Sequence, residues 1–188
     1  AMAANGVAVY LIPVGDPHAS EYLPCHYTSL TWFSGFHGEN SNLVVTRTGS
    51  ALWADGRYFV QAEKELAGTE IELQRMGEPG VPTVEEYCAN ALNEGEVLGL
   101  CGLTANCALV NSLKKALEPK HGAIKTLFLE DELWTEDRPA LPTTPAWILP
   151  KEYAGFSPAE KLGSCARSWK SWAAPPSWWA SWIIWHGC

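Results

Sequence analysis

Three side chains that could do chemistry lie within one proline-flanked segment, D-P-H-A-S-E-Y. Asp16, His18 and Glu21 carry donor types that divalent metal ions accept. The D-x-H-x-x-E spacing is a weak metal signal, because such residues also cap turns and bond to water on protein surfaces. We therefore expect turn capping in this loop and no metal ligand in this chain.

A second candidate is the arginine in A-L-W-A-D-G-R-Y-F, where Asp55 and Gly56 end a predicted strand and Arg57 follows. Ligands bind at the carboxyl ends of strands in α/β sheets, and a guanidinium suits carboxylates and peptide carbonyls. Arg57 could instead pair with Asp55 or Glu63, and Asp55 could cap the next helix. From these residues alone, pairing is the favoured interpretation.

The segment S-G-F-H-G-E-N-S-N offers two glycines and small polar residues. Its backbone N–H groups could hold an anion, but it lacks the order of a nucleotide-binding loop, so a tight turn is the better interpretation. G-x-S-x-G and H-E-x-x-H are both absent from the sequence. The residues themselves identify no catalytic centre.

Composition excludes several classes of protein. The 188 residues carry a net charge of -8, which argues against nucleic-acid binding. Without eighteen consecutive apolar residues or a basic start followed by an apolar run, the sequence predicts no membrane span and no secretory signal. Its six cysteines form no C-x-x-C pair, which favours reduced thiols over a disulfide framework. We expect a cytoplasmic protein.

Strand and helix patterns alternate along the first 130 residues. Helices are predicted from Tyr58 onward, over 81–95 with Thr83 as N-cap, Glu86 completing a capping box and Gly95 at the end, and over 106–119. Strands are predicted over 7–14, 42–46, 50–55, 69–76, 97–100 and 123–130. This order predicts an α/β fold, a mixed β-sheet with helices on both faces.

The two ends of this pattern differ from its middle. A-M-A-A-N-G resembles the last turn of a helix ended by Gly6, from which we expect that an earlier part of that helix precedes this chain. Residues 132–162 contain five prolines and predict an extended connector. It ends in a helix start with Ser157 as cap, Pro158 at the first position and Glu160 three residues past the cap.

Residues 163–188 hold six of the ten tryptophans, four of them preceded by serine, with no helical or strand periodicity. Ser-Trp can be encoded as AGC-TGG. If the reading frame begins one base before the tryptophan codon, that codon becomes CTG, which encodes leucine. With permitted codons throughout, that frame encodes an amphipathic leucine-bearing helix, glycines and an apolar strand. We hypothesise that this tail is aberrant and arises from a frameshift. A tryptophan-rich membrane-interface segment is the alternative, and the tail has only two basic residues to support it.

Four stretches together resemble the N-terminal part of Xaa-Pro aminopeptidase (aminopeptidase P), the creatinase N-terminal domain family in its long three-domain form. They are Y-L-I-P-V-G-D-P-H-A-S-E-Y-L-P, W-F-S-G-F-H-G-E-N-S-N-L-V-V-T, A-L-W-A-D-G-R-Y-F-V-Q-A-E-K-E-L and the connector beginning D-E-L-W-T-E-D-R-P-A. The resemblance covers residues 7 to 162 and implies a ribonuclease H-like α/β fold.

The resemblance also implies a parent reaction, release of the N-terminal residue from peptides with proline in second position. The family uses two divalent metal ions, typically manganese, held in a C-terminal domain that this sequence does not contain. The resemblance makes Arg57 the leading substrate-binding candidate, with Asp55 and His18 as further candidates. It implies no catalytic and no metal-binding residue here.

We therefore predict a creatinase N-terminal-like domain over 1–131, a connector over 132–162 to a missing second domain, and the aberrant tail. Expected partners are the peptide substrate of the parent enzyme and, as the family's lid and dimerisation element, a second copy of the chain. One alternative is a free-standing peptide-binding or dimerisation module without enzymatic activity. Another is a gene-model fragment with no independent role.

The frameshift hypothesis predicts a discontinuity in the transcript. Sequencing across the codons for Lys161 to Ser164 should reveal an alternative junction or reading frame that continues into the leucine-bearing helix. An uninterrupted frame with no alternative junction would exclude the hypothesis.

Overall fold

The computed structural model describes residues 1–172, with side chains through residue 168. Its centre is a six-stranded sheet with the spatial order β4-β3-β2-β1-β5-β6. The strands are β1 (Val9–Pro13), β2 (Asn42–Thr46), β3 (Ser50–Ala54), β4 (Ile71–Arg75), β5 (Val97–Leu100) and β6 (Ala123–Thr126).

Strand direction determines which loops meet. β2 runs antiparallel to both of its neighbours, β1 and β3. β3 and β4 are parallel to each other, and β1, β5 and β6 form a second parallel set. All strands except β2 therefore point the same way, and their carboxyl ends share one edge with the start of β2. We call it the carboxyl edge.

Helices cover both faces of this sheet, as the sequence predicted. They are α1 (Ser29–Ser34), α2 (Phe59–Glu65), α3 (Val84–Ala91), α4 (Cys107–Leu117) and α5 (Leu129–Leu133). Residues of α3 and α4 share one apolar core with alternate strand residues, and residues of α1, α2 and α5 share the other. None of the described helices is long and apolar enough to cross a membrane.

β1 is buried along its whole length, which explains its continuous apolar sequence. Val9 and Leu11 pack into the core under α3 and α4. Tyr10 and Ile12 alternate with them and pack into the opposite core. A strand that supplies both cores must lie in the interior of the sheet, and β1 does, between β2 and β5.

The capping box predicted for α3 is confirmed, and its predicted end is wrong. The Thr83 hydroxyl accepts from the Glu86 N–H, and the Glu86 carboxylate accepts from the Thr83 N–H. The helix ends at Ala91, and Leu92 adopts an extended conformation. Gly95 lies in the following turn with φ +73, where its N–H donates to the Lys120 carbonyl. The glycine therefore serves the entry to β5 and not the helix end.

The strand predicted over 123–130 is too long. β6 ends at Thr126, and Leu129 and Glu130 belong to α5. The apolar pattern alone cannot separate these states. Tertiary contacts decide, since Leu129 packs into the core under α1 and α2, and the Glu130 carboxylate lies 2.6 Å from the Tyr10 hydroxyl on β1.

Chain contacts divide the protein into a unit Ala1–Pro142 and a second unit from Thr143 onward. The second unit holds α6 (Lys151–Ala154) and α7 (Pro158–Trp172). Its predicted start is confirmed, because Ser157 and Glu160 exchange backbone-to-side-chain hydrogen bonds across the first turn. The predicted domain boundaries at residues 131 and 162 stay predictions.

Residues 163–172 are helical and continue α7, although the sequence of the tail shows no helical periodicity. α7 begins at the Pro158 and Ser157 signals identified in the sequence, and helix propagation beyond such a start adds one bond for each residue fixed. The rest of the tryptophan-rich tail lies outside the described residues, and the frameshift hypothesis stays a prediction.

The loops at the carboxyl edge pack closely. Gly15, in the loop after β1, is so near the loop after β5 that a Cβ atom built on it would lie 2.6 Å from the Thr104 carbonyl oxygen. No side chain moves aside there, because the obstacle is backbone. Gly49, in the turn between β2 and β3, has open space around its own Cβ position.

We predict that Gly15→Ala lowers the free energy of unfolding by about 1–3 kcal/mol, the usual cost of overpacking. Gly49→Ala is the control and should stay within about 0.5 kcal/mol of the unmodified chain. Urea denaturation followed by circular dichroism measures both. Equal stabilities for the two variants would contradict this account of the loop.

Candidate functional site

The carboxyl edge brings together residues that lie far apart in sequence. Asp55 and Arg57 follow β3, and Asn40 immediately precedes the short lead into β2. The Asn40 side-chain amide donates to Asp55 Oδ2 at 3.1 Å. Asn40 has φ +46, a left-handed conformation that asparagine tolerates better than most residues. The G-E-N-S-N turn therefore supports the predicted site residues directly.

Asp55 and Arg57 form a compact ion pair. The guanidinium Nη2 donates to Oδ2 at 2.7 Å, and Nε lies 3.2 Å from both carboxylate oxygens. The Arg57 backbone N–H also donates to Oδ1 at 2.9 Å, which closes a turn typical of aspartate. The pairing favoured from the sequence is therefore present, and Asp55 rather than Glu63 is the partner.

The prediction that Asp55 caps the next helix is wrong. α2 begins at Phe59, with Tyr58 in the cap position and no side-chain cap. The carboxylate is already committed to the Arg57 N–H and guanidinium, so it cannot serve the first turn of the helix. Glu63 is also committed elsewhere, because it pairs with Arg75 at the end of β4.

Charge and hydrogen bonding stabilise the ionised form of both partners. The Arg57 hydrogen bond, and then the Asn40 amide, hold the pKa of the Asp55 carboxyl far below its usual range. The same carboxylate raises the pKa of Arg57. Asp55 is the less exposed partner, at 17% of its side chain against 66% for Arg57. The pair therefore presents its cation to solvent.

The Arg57 guanidinium keeps donors for a ligand. A guanidinium has five N–H groups, and Asp55 uses the one on Nε and one on Nη2. The Nη1 group forms no hydrogen bond with the described residues. Arg57 could therefore donate to a carbonyl or carboxylate oxygen of a ligand without breaking its ion pair. Pairing with Asp55 and contact with a ligand are compatible in this geometry.

The Tyr58 ring packs against the guanidinium, and Phe36 packs against that ring. The central carbon of the guanidinium lies 5.3 Å from the centre of the Tyr58 ring, a cation–π distance. The Tyr58 hydroxyl donates to Glu39 Oε2 at 3.3 Å, and the ring meets buried Phe36 edge-to-face. A Cβ atom on Gly38 would clash with the Phe36 ring, so only glycine fits between these residues. Tyr58 and Glu39 were not identified as site residues from the sequence.

A groove of about 210 Å³ lies beside this cluster, and Glu39 belongs to both. Its lining includes Tyr27 and Thr31 from the segment around α1, and Glu21 and Tyr22 from the loop after β1. His37 also lines it, with its N–H donating to Glu65 at 2.9 Å. The groove therefore offers carboxylates, hydroxyls and aromatic rings next to an arginine.

The predicted turn capping in the D-P-H-A-S-E-Y loop is confirmed. Asp16 is buried, and its Oδ1 accepts from the backbone N–H groups of Ser20 at 2.9 Å and His18 at 3.0 Å. These bonds, that of Ser20 first, lower the pKa of the Asp16 carboxyl. The His18 side chain is exposed, and no hydrogen bond or ion pair joins it to Arg57 or Asp55 within the described part of the chain.

Metal ligation does not fit the donors present. Within residues 1–172, no three histidine, cysteine, aspartate or glutamate side chains come together in a way that could hold a metal ion. Asp16 is occupied by backbone donors, while His18 and Glu21 are exposed. The two-metal chemistry implied by the family resemblance therefore has no ligand set among the described residues.

Comparison with known proteins identifies the domain. The family model for the creatinase/prolidase N-terminal domain matches residues 1–128. Aminopeptidase P2 of Arabidopsis thaliana is 38% identical over 84% of this chain and 22% of its own length. A probable Xaa-Pro aminopeptidase P of Pyrenophora teres f. teres is 34% identical over 86% of this chain and 25% of its own. The chain thus spans about a quarter of these relatives.

A solved structure extends the likeness to the fold. The X-prolyl aminopeptidase of Caenorhabditis elegans, described as a cytosolic enzyme with a dinuclear active site, is 31% identical with a TM-score of 0.75. The similarity covers 89% of this chain and 28% of that protein. Fold similarity and sequence identity thus agree: the chain belongs to the creatinase/prolidase N-terminal domain family and is the N-terminal domain of an aminopeptidase P-like protein.

Proposed function

We propose that this domain is the non-catalytic, substrate-positioning part of a Xaa-Pro aminopeptidase-like metallopeptidase. The parent reaction releases the N-terminal residue from peptides with proline in second position. The two divalent metal ions of that reaction, manganese in the family, belong to a catalytic domain outside this chain. The proposed location is the cytoplasm, in keeping with the C. elegans relative described as cytosolic.

One observation carries the positioning role. Arg57 is held by Asp55 and lies over Tyr58, yet it keeps the Nη1 donors and a 66% exposed side chain. An arginine held in this way has lost part of its conformational freedom before a ligand arrives, so less entropy is lost when it contacts a peptide carbonyl. Such a group orients a substrate and does not transfer protons, because its pKa keeps it charged.

Asp55 and His18 take different places in this proposal. Asp55 acts through Arg57 by fixing the direction of the guanidinium. His18, on the loop after β1, lies on the same edge of the sheet, and its exposed ring is available to a longer peptide. Arg57 is the primary contact, and a second copy of the chain stays a possible partner of the parent assembly.

We predict that the purified chain does not hydrolyse a Xaa-Pro peptide when manganese is added. The reason is that the described residues offer no ligand set to hold two ions around a water molecule. Release of the N-terminal residue from Ala-Pro-Ala, followed by chromatography, measures this. Turnover above the level of a buffer control would contradict the proposal.

We also predict that Arg57→Ala weakens binding of Ala-Pro-Ala roughly tenfold, since a charge-assisted hydrogen bond is lost. Backbone NMR titration measures the affinity, and the largest shifts are expected in 38–40 and 55–58. Arg47→Ala is the matched control, because Arg47 is also exposed and paired, with Glu96 away from the carboxyl edge.

The outcomes separate the alternatives. Affinity lost in the Arg57 variant and kept in the Arg47 variant supports the positioning role. Equal loss in both variants, or no loss in either, would contradict it. Co-purification with a full-length relative, together with peptide binding by this chain alone, would favour the free-standing module over the enzyme fragment.

A further inference from the structure

A buried acid joins the sheet to the segment that follows it. Glu130 on α5 is 4% exposed and lies in the core beside β1. Its Oε2 atom is 2.6 Å from the Tyr10 hydroxyl, and among the described residues its Oε1 atom is the one buried side-chain N or O atom without a hydrogen-bond partner. A carboxylate with a free oxygen in an apolar environment is costly, and a neutral carboxylic acid is much less so.

The contacts of Tyr10 distinguish the two forms of this acid. The hydroxyl oxygen lies 3.2 Å from the Leu127 carbonyl and 3.3 Å from the Leu129 N–H. A tyrosine hydroxyl has one hydrogen to donate and can accept two. With Glu130 ionised, that hydrogen must go to the carboxylate, and the Leu127 carbonyl loses its only donor among the described residues.

A protonated Glu130 satisfies every one of these contacts. The acid donates to the Tyr10 oxygen, Tyr10 donates to the Leu127 carbonyl, and the Leu129 N–H donates to the Tyr10 oxygen. The three short distances then belong to one continuous chain of hydrogen bonds. We propose that Glu130 is a neutral carboxylic acid in the folded protein, and that its ionisation releases α5 and the segment that follows from the sheet.

The groups that face Glu130 favour the neutral acid on balance. Burial raises the pKa of Glu130, and the hydrogen bonds from the Tyr10 hydroxyl and from the Glu130 backbone N–H lower it by less. Asp131 on α5 raises it and Arg138 lowers it, while the Cys101 thiol after β5 is itself buried. Arg138 is engaged in an ion pair with Asp131, so it is not free to neutralise Glu130.

α5 determines the position of the chain beyond it. Trp134, directly after α5, stacks on Trp32 of α1 with the ring centres 5.5 Å apart. Arg138 lies over the Trp134 ring and donates to the His26 carbonyl, and the His26 ring contacts the Pro139 carbonyl at 2.8 Å. Loss of the Glu130 contact would therefore loosen residues 129–139 first, since they follow the last strand and pair with none of the strands.

The pH dependence has a definite sign. A carboxyl whose pKa is raised by folding costs no stability below its ordinary value, 4.5, and costs progressively more as the pH rises toward the folded value. Within that window the unfolding equilibrium constant should rise by up to about tenfold for each pH unit through this one group. Glu130→Gln, which imitates the neutral acid, should remove this rise.

The experiment compares three forms of the full chain by urea denaturation across pH 4 to 8. The unmodified chain should lose stability relative to Glu130→Gln as the pH rises, and Glu132→Gln, an exposed acid on the same helix, should behave like the unmodified chain. Hydrogen exchange should locate the change. As the pH rises, the backbone amides of residues 129–138 should lose protection, and those of β1 should keep theirs. Parallel stability curves for all three forms would overturn the proposal.

A direct measurement guards against a variant that does not fold. A 13C label on the glutamate carboxyl carbons of the unmodified chain allows Glu130 to be titrated by NMR. A midpoint shifted upward from 4.5 supports the neutral acid, and a midpoint at or below 4.5 overturns it. These results do not depend on peptide binding, so they are independent of the proposed function.

Discussion

Burial of β1 on both of its faces is the constraint on which this domain depends. Alternate side chains of five consecutive residues supply two separate cores, so helices must cover both sides of the sheet. A one-residue shift of β1 against its neighbours would exchange the two sets and move Tyr10 away from Glu130. The Tyr10–Glu130 contact is therefore available in one register only, and it holds α5 against β1.

The antiparallel β2 builds the candidate site. The chain leaves β1 at the carboxyl edge, forms α1, and must return to the same edge to enter β2 in the reverse direction. This return brings Asn40 against Asp55, although 15 residues separate them. Had β2 been parallel to β1, the chain would have entered β2 at the opposite edge, away from Asp55. Strand direction therefore accounts for the support that the Asp55–Arg57 pair receives.

Local signals in the sequence were sufficient for much of the fold. Apolar runs and alternating patterns located all six strands. The Thr83–Glu86 and Ser157–Glu160 spacings located two helix starts, because a capping box is decided within four residues. The errors arose where distant contacts decide. Glu130 is helical because of its contact with Tyr10, and Gly95 serves the Lys120 carbonyl.

The site was predictable only in part for the same reason. Asp55 and Arg57 are two residues apart, so their pairing could be read from the sequence. Asn40, Glu39 and Tyr58 join them through the return of the chain to the carboxyl edge, which no local pattern reveals. The asparagine in G-E-N-S-N was the one available signal, since asparagine is enriched at left-handed positions.

Two paired arginines in this domain differ in what their ion pairs hold in place. Arg47 donates through Nη1 and Nη2 to both oxygens of Glu96, 49 residues away, and so joins the turn after β2 to the start of β5. Arg57 pairs with a residue two positions earlier and joins no separate elements. The Arg57 pair therefore adds little to tertiary structure, and what it fixes is the direction of an exposed cation. The fold restrains the Arg57 side chain but does not depend on it for stability. A side chain in that position is suited to bind a ligand.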